Sequence, residues 1–237
     1  MGDYSRQEKL IPLESVKGAN IMVIGVGAVG RNVALGLAKM GARTVSLVDP
    51  QSVGPENVSN QGYTFSQVGD HKVWATIADM KHQHPDEDSE ECKFEAFPDY
   101  WHKRCKAEAG FPDYTFVCVD SITIRKEIFD DWKTWVLEAE EMWPRYLFDT
   151  RMFGETMRVL SVTDEPESLD AYEQTLFGQD EAFGGGCVVP GSYPYSQITA
   201  GLVLHQFVRA LRDEEVCPQL VMDLKGDEMY PAMARAN

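Results

Sequence analysis

The sequence has few cysteines, and no two of them are close enough to suggest a structural metal site. The five cysteines in the 237 residues are Cys92, Cys105, Cys118, Cys187 and Cys217. None belongs to a C-x-x-C pair, the spacing from which tetrahedral zinc sites usually draw their thiolates. An odd, scattered set fits reduced thiols better than a disulfide framework, and we expect no structural zinc.

Positive charge and long apolar runs are also scarce. Lys and Arg total 22 against 38 Asp and Glu, which gives a formal net charge of −16. This balance argues against binding to nucleic acid or to an anionic membrane and favours a basic partner surface. No apolar run approaches the roughly 18 to 20 residues of a membrane-spanning helix, and the start has no signal-peptide core. We therefore expect a cytoplasmic protein.

The sequence does contain an alternation of predicted strands and helices. Strands are predicted at the short apolar runs 20–25, 44–48, 93–97, 114–119 and 220–224. Helices are predicted at 29–40, 68–80, 121–139, 166–177 and 196–212, with a long polar loop at 50–67. Two runs flanking Gly154 predict a hairpin, which adds antiparallel strands in the C-terminal half. We predict one α/β domain over 1–237, with a Rossmann-like, mostly parallel sheet flanked by helices.

A glycine-rich turn joins the first predicted strand to the first long predicted helix. It reads Gly25-Val26-Gly27-Ala28-Val29-Gly30, and Asp49 ends the next strand. Glycines let the backbone approach a phosphate, unpaired N–H groups at a helix start attract anions, and the aspartate can accept hydrogen bonds from ribose hydroxyls. The turn predicts nucleotide binding, with tight packing as the alternative. NAD and ATP both suit it, so other residues must distinguish them.

Four further segments form an ordered pattern. They are Tyr4-Ser5-Arg6-Gln7, Asn57-Val58-Ser59-Asn60-Gln61, Val68-Gly69-Asp70-His71-Lys72 and Val117-Cys118-Val119-Asp120-Ser121-Ile122-Thr123-Ile124-Arg125. They resemble the R-Y-x-R-Q, N-x-x-R-Q, V-G-x-x-K and D-N-x-x-x-R motifs of the ThiF/MoeB/HesA superfamily, the ubiquitin-activating-enzyme-like adenylyltransferases. The resemblance spans nearly the whole chain. Asp149 to Glu155 is also similar to a segment of that superfamily, and we assign it no catalytic role.

The resemblance implies a role for a residue in each of these four segments. Asn57 and Gln61 would seat ATP, Lys72 would neutralise its phosphates, and Asp120 would be linked to Mg²⁺. Arg6 would reach across a homodimer to the ATP of the other subunit. Each has a plainer alternative: a solvated terminal charge for Arg6, a surface loop for Asn57 and Gln61, an exposed helix lysine for Lys72, and a helix N-cap for Asp120.

The sequence departs from the superfamily pattern at two positions. Asp3 replaces the first arginine of the opening motif, and Asn60 replaces an arginine that neutralises phosphate in the relatives. A neutral amide cannot supply that charge. Either another cation substitutes, with Arg31 just after the glycine turn as the candidate, or ATP turnover is weakened.

Cys187 follows the run Gly184-Gly185-Gly186 and precedes the helix predicted at 196–212. In related enzymes a cysteine at this point of the crossover loop can form a thioester or persulfide-type intermediate with the activated C-terminus. No basic residue lies nearby in sequence to lower the pKa of its thiol, so a buried structural cysteine is the alternative.

Three functional hypotheses follow. The leading one is ATP-dependent adenylation of the C-terminal carboxylate of a small ubiquitin-like β-grasp protein or peptide, for transfer to sulfur or an amine. The second is a catalytically weakened nucleotide-binding scaffold subunit, which Asn60 permits. The third, an NAD-dependent oxidoreductase, leaves the pattern from Asn57 to Lys72 unexplained. We expect the nucleotide-binding part at about 18–125 and the partner-binding part at about 145–225.

Overall fold

The chain is built around one mixed sheet, seen in a computed structural model that describes residues 4–86, 92–101, 111–138, 144–176, 192–226 and 228–231. The strands are β1 (Asn20–Ile24), β2 (Thr44–Val48), β3 (Lys93–Phe97), β4 (Tyr114–Val117), β5 (Tyr146–Phe153), β6 (Thr156–Val162), β7 (Gln219–Asp223) and β8 (Glu228–Pro231). The helices are α1 (Leu13–Gly18), α2 (Ala28–Met40), α3 (Pro55–Gln61), α4 (Lys72–Gln83), α5 (Ile122–Glu138), α6 (Pro166–Glu173) and α7 (Tyr193–Leu211), with a 3-10 helix at Phe65–Gln67. None of the helices described is long and apolar enough to cross a membrane.

The strand order is β3-β2-β1-β4-β5-β6-β7-β8. Pairing is parallel from β3 to β5 and antiparallel from β5 to β8. The chain moves outward from β1 to β3 on one side and then crosses to β4 on the other. The order therefore reverses between β1 and β4, and ligands of such sheets bind beyond the carboxyl ends at that point. The predicted Rossmann-like sheet with antiparallel C-terminal strands is confirmed.

Helices cover both faces of the sheet, because the strand side chains alternate between two apolar cores. Ile21 and Val23 of β1 pack with α2, α4 and α7, whereas Met22 and Ile24 pack with α5 and α6. The helix residues of the first core include Val33, Leu37, Val73, Ile77, Val203 and Phe207. Those of the second include Ile128, Phe129, Trp132, Leu169 and Tyr172. The central strands are thus buried on both sides, which explains their continuous apolar sequence.

The prediction of a polar loop at 50–67 is wrong in part, because α3 and the 3-10 helix occupy most of this segment. Gly54 is the N-cap of α3, Pro55 occupies its first turn, and Gly62 ends it in the left-handed conformation at φ 76°. Proline at a helix start and glycine just past its end are typical helix boundaries. The sequence pattern missed α3 because the helix has no apolar stripe: only Asn57 among its residues is buried.

Candidate functional site

The glycine turn brings the end of β1, the start of α2 and the segment after β4 into close contact. Gly25 has φ +88°, and a Cβ there would lie 2.8 Å from the carbonyl carbon of Cys118. A Cβ on Gly30 would overlap the carbonyl oxygen of Gly25. The surroundings of Gly27 are open, since a Cβ there would come only within 4.0 Å of Gln61 Oε1. Gly25 and Gly30 permit close packing, and Gly27 leaves space in front of α2.

Gly25→Ala is expected to lower the free energy of unfolding by about 2 kcal/mol or more, because the methyl group meets backbone atoms and φ is positive. Gly154→Ala is the matched control: its φ is +57° and no atom lies within 4 Å of a Cβ there. Urea denaturation of both variants separates the close contact from the backbone strain. Equal losses would contradict a steric role for Gly25.

The start of α2 can hold an anion. Gly27 is the N-cap, no side chain caps the helix there, and the first helical bond runs from Arg31 N to Gly27 O at 3.0 Å. The N–H groups of the first turn therefore have no helical acceptor. Gln61 Oε1, which lies on the same side, is buried without a hydrogen-bond partner. Phosphate oxygens would satisfy the N–H groups and a hydroxyl would satisfy Gln61, so a nucleotide fits the donors and acceptors present.

Asp49 holds the glycine turn in place. Its carboxylate is 6% exposed and accepts hydrogen bonds from Val26 N at 2.7 Å and Gln51 N at 2.8 Å. Tyr63 Oη donates to Val26 O at 2.8 Å and so fixes the same peptide from the other side. An ionised carboxylate has about four lone-pair sites, so Asp49 can still accept bonds from ribose hydroxyls.

Lys72 is buried beside Asp49. It is the first residue of α4, it is 3% exposed, and its Nζ donates to Gln51 Oε1 at 2.7 Å. Burial lowers the pKa of the ammonium group, while Asp49, Glu56 and Asp120 oppose that shift. The alternative of an exposed helix lysine is therefore wrong. A buried cation near the glycine turn can neutralise developing negative charge more strongly than a solvated one.

The α3 segment contributes amides rather than charge. Asn57 is 7% exposed, and its Oδ1 accepts a bond from Gly54 N at 2.9 Å. Asn57 therefore lies in the first turn of α3 and bonds back to its N-cap, and the surface-loop alternative is wrong for this residue. Asn60 Oδ1 is buried, and the described residues supply no hydrogen bond to it.

Arg31 lies in an internal network. Its guanidinium donates to Gly62 O at 3.1 and 3.2 Å, to Thr76 Oγ1 at 3.1 Å and to Asp79 Oδ2 at 2.5 Å. It also stacks over the Tyr63 ring at 4.1 Å. These contacts occupy most of its five donors. The arrangement favours a structural role for Arg31 and does not favour its use as the substitute for the cation missing at Asn60.

Asp120 follows β4 and is exposed. It is not a helix cap, because Ser121 accepts the first bonds of α5 from Ile124 N at 3.4 Å and Arg125 N at 3.1 Å. The Asp120 carboxylate opposes the lowering of the Lys72 pKa, less strongly than Asp49 and Glu56 do. Within the described ranges no three His, Cys, Asp or Glu side chains cluster around a possible metal position. Asp120 is thus an exposed carboxylate after β4 that acts electrostatically on Lys72 together with Asp49 and Glu56.

A buried ion cluster, whose role the sequence did not reveal, adjoins Asp120. Asp149 is fully buried in β5 and pairs with Arg125. It also accepts bonds from Arg151 Nε at 2.7 Å and Tyr172 Oη at 3.1 Å. Asp149 lies beside Val117, the last residue of β4. The one available signal was the spacing of Asp149 and Arg151, which places both on one face of a strand.

Comparison with known families identifies the group to which this site belongs. The model of the ThiF family matches residues 4–131, which include the glycine turn, Asp49, Lys72 and Asp120. The chain belongs to the ThiF family. Comparison with curated proteins gave no match.

Solved structures with this ThiF-family fold include PaaA and E. coli MccB. PaaA, solved in selenomethionine form, has a TM-score of 0.72 at 18% identity over 96% of this chain and 68% of its own. MccB with AMPCPP and MccA has a TM-score of 0.69 at 13% identity, and MccB with ATP has 0.67 at 11%. Both MccB matches cover 92% of this chain and 64% of MccB. The ThiF-family chain thus spans just under two thirds of the length of MccB.

Two residues singled out from the resemblance are not part of the site described above: Arg6 and Cys187. Arg6 is exposed, and its neighbour Tyr4 packs against Gly41 at the C-terminal end of α2. A helix of 13 residues is about 20 Å long, so Arg6 lies far from the glycine turn of its own chain. Cys187 lies outside the described residues.

Proposed function

We propose that this chain binds ATP at the glycine turn and adenylates the C-terminal carboxylate of a small ubiquitin-like β-grasp protein or peptide. The observation that carries the proposal is the buried Lys72 beside Asp49 and the start of α2, within the part of the chain matched by the ThiF family. MccB, which has this fold, has been solved with ATP and with MccA. This supports a nucleotide and a small polypeptide as substrates.

In the proposed reaction an oxygen of the partner's C-terminal carboxylate attacks the α-phosphorus of ATP. A new P–O bond forms, the bond from the α-phosphorus to the bridging oxygen breaks, and pyrophosphate leaves with the electron pair. Gly27 and the N–H groups of α2 bind phosphate oxygens, and Asp49 with Gln61 binds the ribose. Lys72 gives up its bond to Gln51 and stabilises the negative charge that moves onto the leaving group.

Asp120 would hold a Mg²⁺ ion, which when bound would neutralise phosphate charge. A single carboxylate suits Mg²⁺, because the ion keeps several waters and binds mainly through phosphate oxygens. Arg31 would support the site by joining α2 to α4 and to the end of α3, and Asn57 would do so by bonding to the start of α3.

The proposal extends to a homodimer and to a transfer step. Since Arg6 lies about one helix length from its own glycine turn, it would act only at the site of a second copy. Cys187 would accept the activated acyl group as a thioester: its sulfur would attack the acyl carbon, and AMP would leave with the electron pair of the broken C–O bond.

A scaffold that binds nucleotide without turnover is the second candidate. Two observations favour it: Asn60 is neutral, and the guanidinium of Arg31 is paired with Asp79. Among the described residues near the turn, Lys72 is then the main cation for the phosphates. The oxidoreductase hypothesis gains no comparable support.

Calorimetry with Mg-ATP and with NAD tests the proposal. Wild type is expected to bind Mg-ATP and not NAD, and Asp120→Ala is expected to weaken Mg-ATP binding about tenfold, since it removes a carboxylate next to the phosphates. Asp170→Ala, an exposed change of the same charge on α6, serves as the control. ATP–pyrophosphate exchange with candidate partners then separates the enzyme from the scaffold. Binding of NAD alone would refute both.

A further inference from the structure

Two arginines lie directly opposite each other in the antiparallel half of the sheet. Arg151 of β5 pairs with Arg158 of β6 in the strand register. Opposed residues of an antiparallel pair point to the same face, and like charges in that arrangement repel. Phe153, two residues beyond Arg151, shares that face and is 60% exposed. The sheet therefore presents two cations beside an exposed aromatic ring.

Arg151 is fixed by neighbouring residues. Its Nε donates to Asp149 at 2.7 Å, and its two terminal nitrogens donate to the carbonyl and hydroxyl oxygens of Thr175, each at 2.9 Å. Thr175 follows α6, so Arg151 joins β5 to that segment. Arg151 therefore has a structural role, and its positive charge is compensated by the ion pair with Asp149.

Arg158 lacks such a partner. It donates from Nη2 to Gln219, which is a neutral residue of β7. Its Nε is buried and makes no hydrogen bond. No carboxylate in the described part of the chain forms an ion pair with it, and both burial and repulsion from Arg151 lower the pKa of its guanidinium. A half-buried cation without a charged partner is stabilised when an anion binds to it.

The charged side chains around Arg158 also include more cations than carboxylates. Arg125, Arg151 and Arg158 contribute three positive charges. Asp149 pairs with the first two, and the exposed Asp120 also acts on Arg125, so two carboxylates face three cations. A chain with a net charge of −16 thus keeps an excess of cations at one place near the end of β4. Buried charge is normally paired, so an acidic ligand is the chemical class that fits here.

The position fits a polypeptide tail that ends at the proposed reaction centre. Neighbouring strands lie about 4.8 Å apart and residues rise about 3.3 Å along a strand, so the arginine pair lies roughly 10 Å from the end of β4. That distance is the length of about three extended residues. A tail whose last carboxylate reaches the α-phosphate beyond the end of β4 can therefore pass the arginine pair a few residues before its C-terminus.

We propose that Arg158, opposite Arg151, binds an acidic side chain of the substrate's tail, two to four residues before the C-terminal carboxylate. This inference rests on the proposed function and adds a specificity-determining residue to it. Phe153 packs against the same stretch of tail. The preference is for Asp or Glu over the isosteric amide.

Synthetic octapeptides with a free C-terminal carboxylate test the proposal. Each pair differs only by Asp or Asn at the second, third or fourth residue before the C-terminus. With wild type, the Asp peptide of at least one pair is expected to bind about tenfold more tightly at low salt, and less so at 0.5 M salt. Arg158→Gln should abolish the difference, and Arg158→Lys should restore part of it. Arg212→Gln, an equal charge change at an exposed ion pair, should keep it.

Peptide binding is measured by calorimetry without ATP, and pyrophosphate exchange is measured separately. Loss of exchange for every peptide, with the Asp preference in binding intact, would count against adenylation and leave the binding site standing. Equal binding of Asp and Asn peptides, or no binding of either, would overturn the inference. So would a preference that survives in Arg158→Gln, or a loss of ATP affinity in that variant, since the anion bound there would then be phosphate.

Discussion

Lys72→Ala is expected to slow ATP–pyrophosphate exchange about 100- to 1,000-fold, the usual cost of removing one group that stabilises transition-state charge. The ammonium is buried, and a cation in such surroundings acts through a lower dielectric than one in water. Since Asn60 is neutral and Arg31 is paired with Asp79, no nearby described cation is placed to take over. The measurement is kcat/KM for exchange with a partner that supports turnover.

Lys81→Ala is the matched control, because Lys81 is exposed in the last turn of the same helix. It should change the exchange rate less than twofold. Lys72→Arg keeps the charge but not the geometry of the bond to Gln51. Its exchange rate should therefore lie between those of Lys72→Ala and Lys81→Ala. A Lys72→Ala enzyme with near-normal exchange would remove Lys72 from the mechanism and shift attention to Arg6 of a second subunit.

Asp149→Ala is expected to destabilise the fold by about 3 to 5 kcal/mol, the cost of leaving buried charges without their partner. The substitution removes one carboxylate that pairs with Arg125 and Arg151 and accepts a bond from Tyr172. These side chains join β5 to α5 and α6, so the loss should reduce stability throughout the C-terminal half. Urea denaturation followed by circular dichroism measures it.

The control for this loss is Asp130→Ala. Asp130 forms an ion pair with Lys126 on α5, and both side chains are about half exposed. Exposed pairs of this kind contribute at most about 0.5 kcal/mol. Asp149→Asn keeps the shape and one acceptor but not the charge, so it should lose most of the same stability. A change below about 1 kcal/mol in Asp149→Ala would show that the cluster is not a structural centre.

The sequence predicted those elements whose apolar pattern matches their burial. β1 and β4 are mostly apolar because helices cover both faces of the central strands, and α2 has the apolar spacing and the C-terminal glycine of a packed helix. α1 and α3 were missed, since each is short and buries a single residue. Short helices held by caps and neighbours carry little periodic signal.

For the candidate site, motif order predicted which segments are relevant but not what each side chain contacts. The distance from Arg6 to its own glycine turn and the burial of Lys72 depend on tertiary packing. The same is true of Arg31, which follows the turn in sequence but points into a network with Thr76 and Asp79. The Asp149 cluster joins residues from β5, α5 and α6, and no local spacing encodes such a contact.

The pairing of the sheet changes from parallel to antiparallel at β5. The family match ends at residue 131, before β5, and covers the strands that form the glycine turn and the crevice. Strands β6 to β8 extend the sheet beyond β5, away from the point between β1 and β4 where the strand order reverses. Recombination before β5 would therefore exchange the antiparallel strands and leave the strands of the glycine turn unchanged.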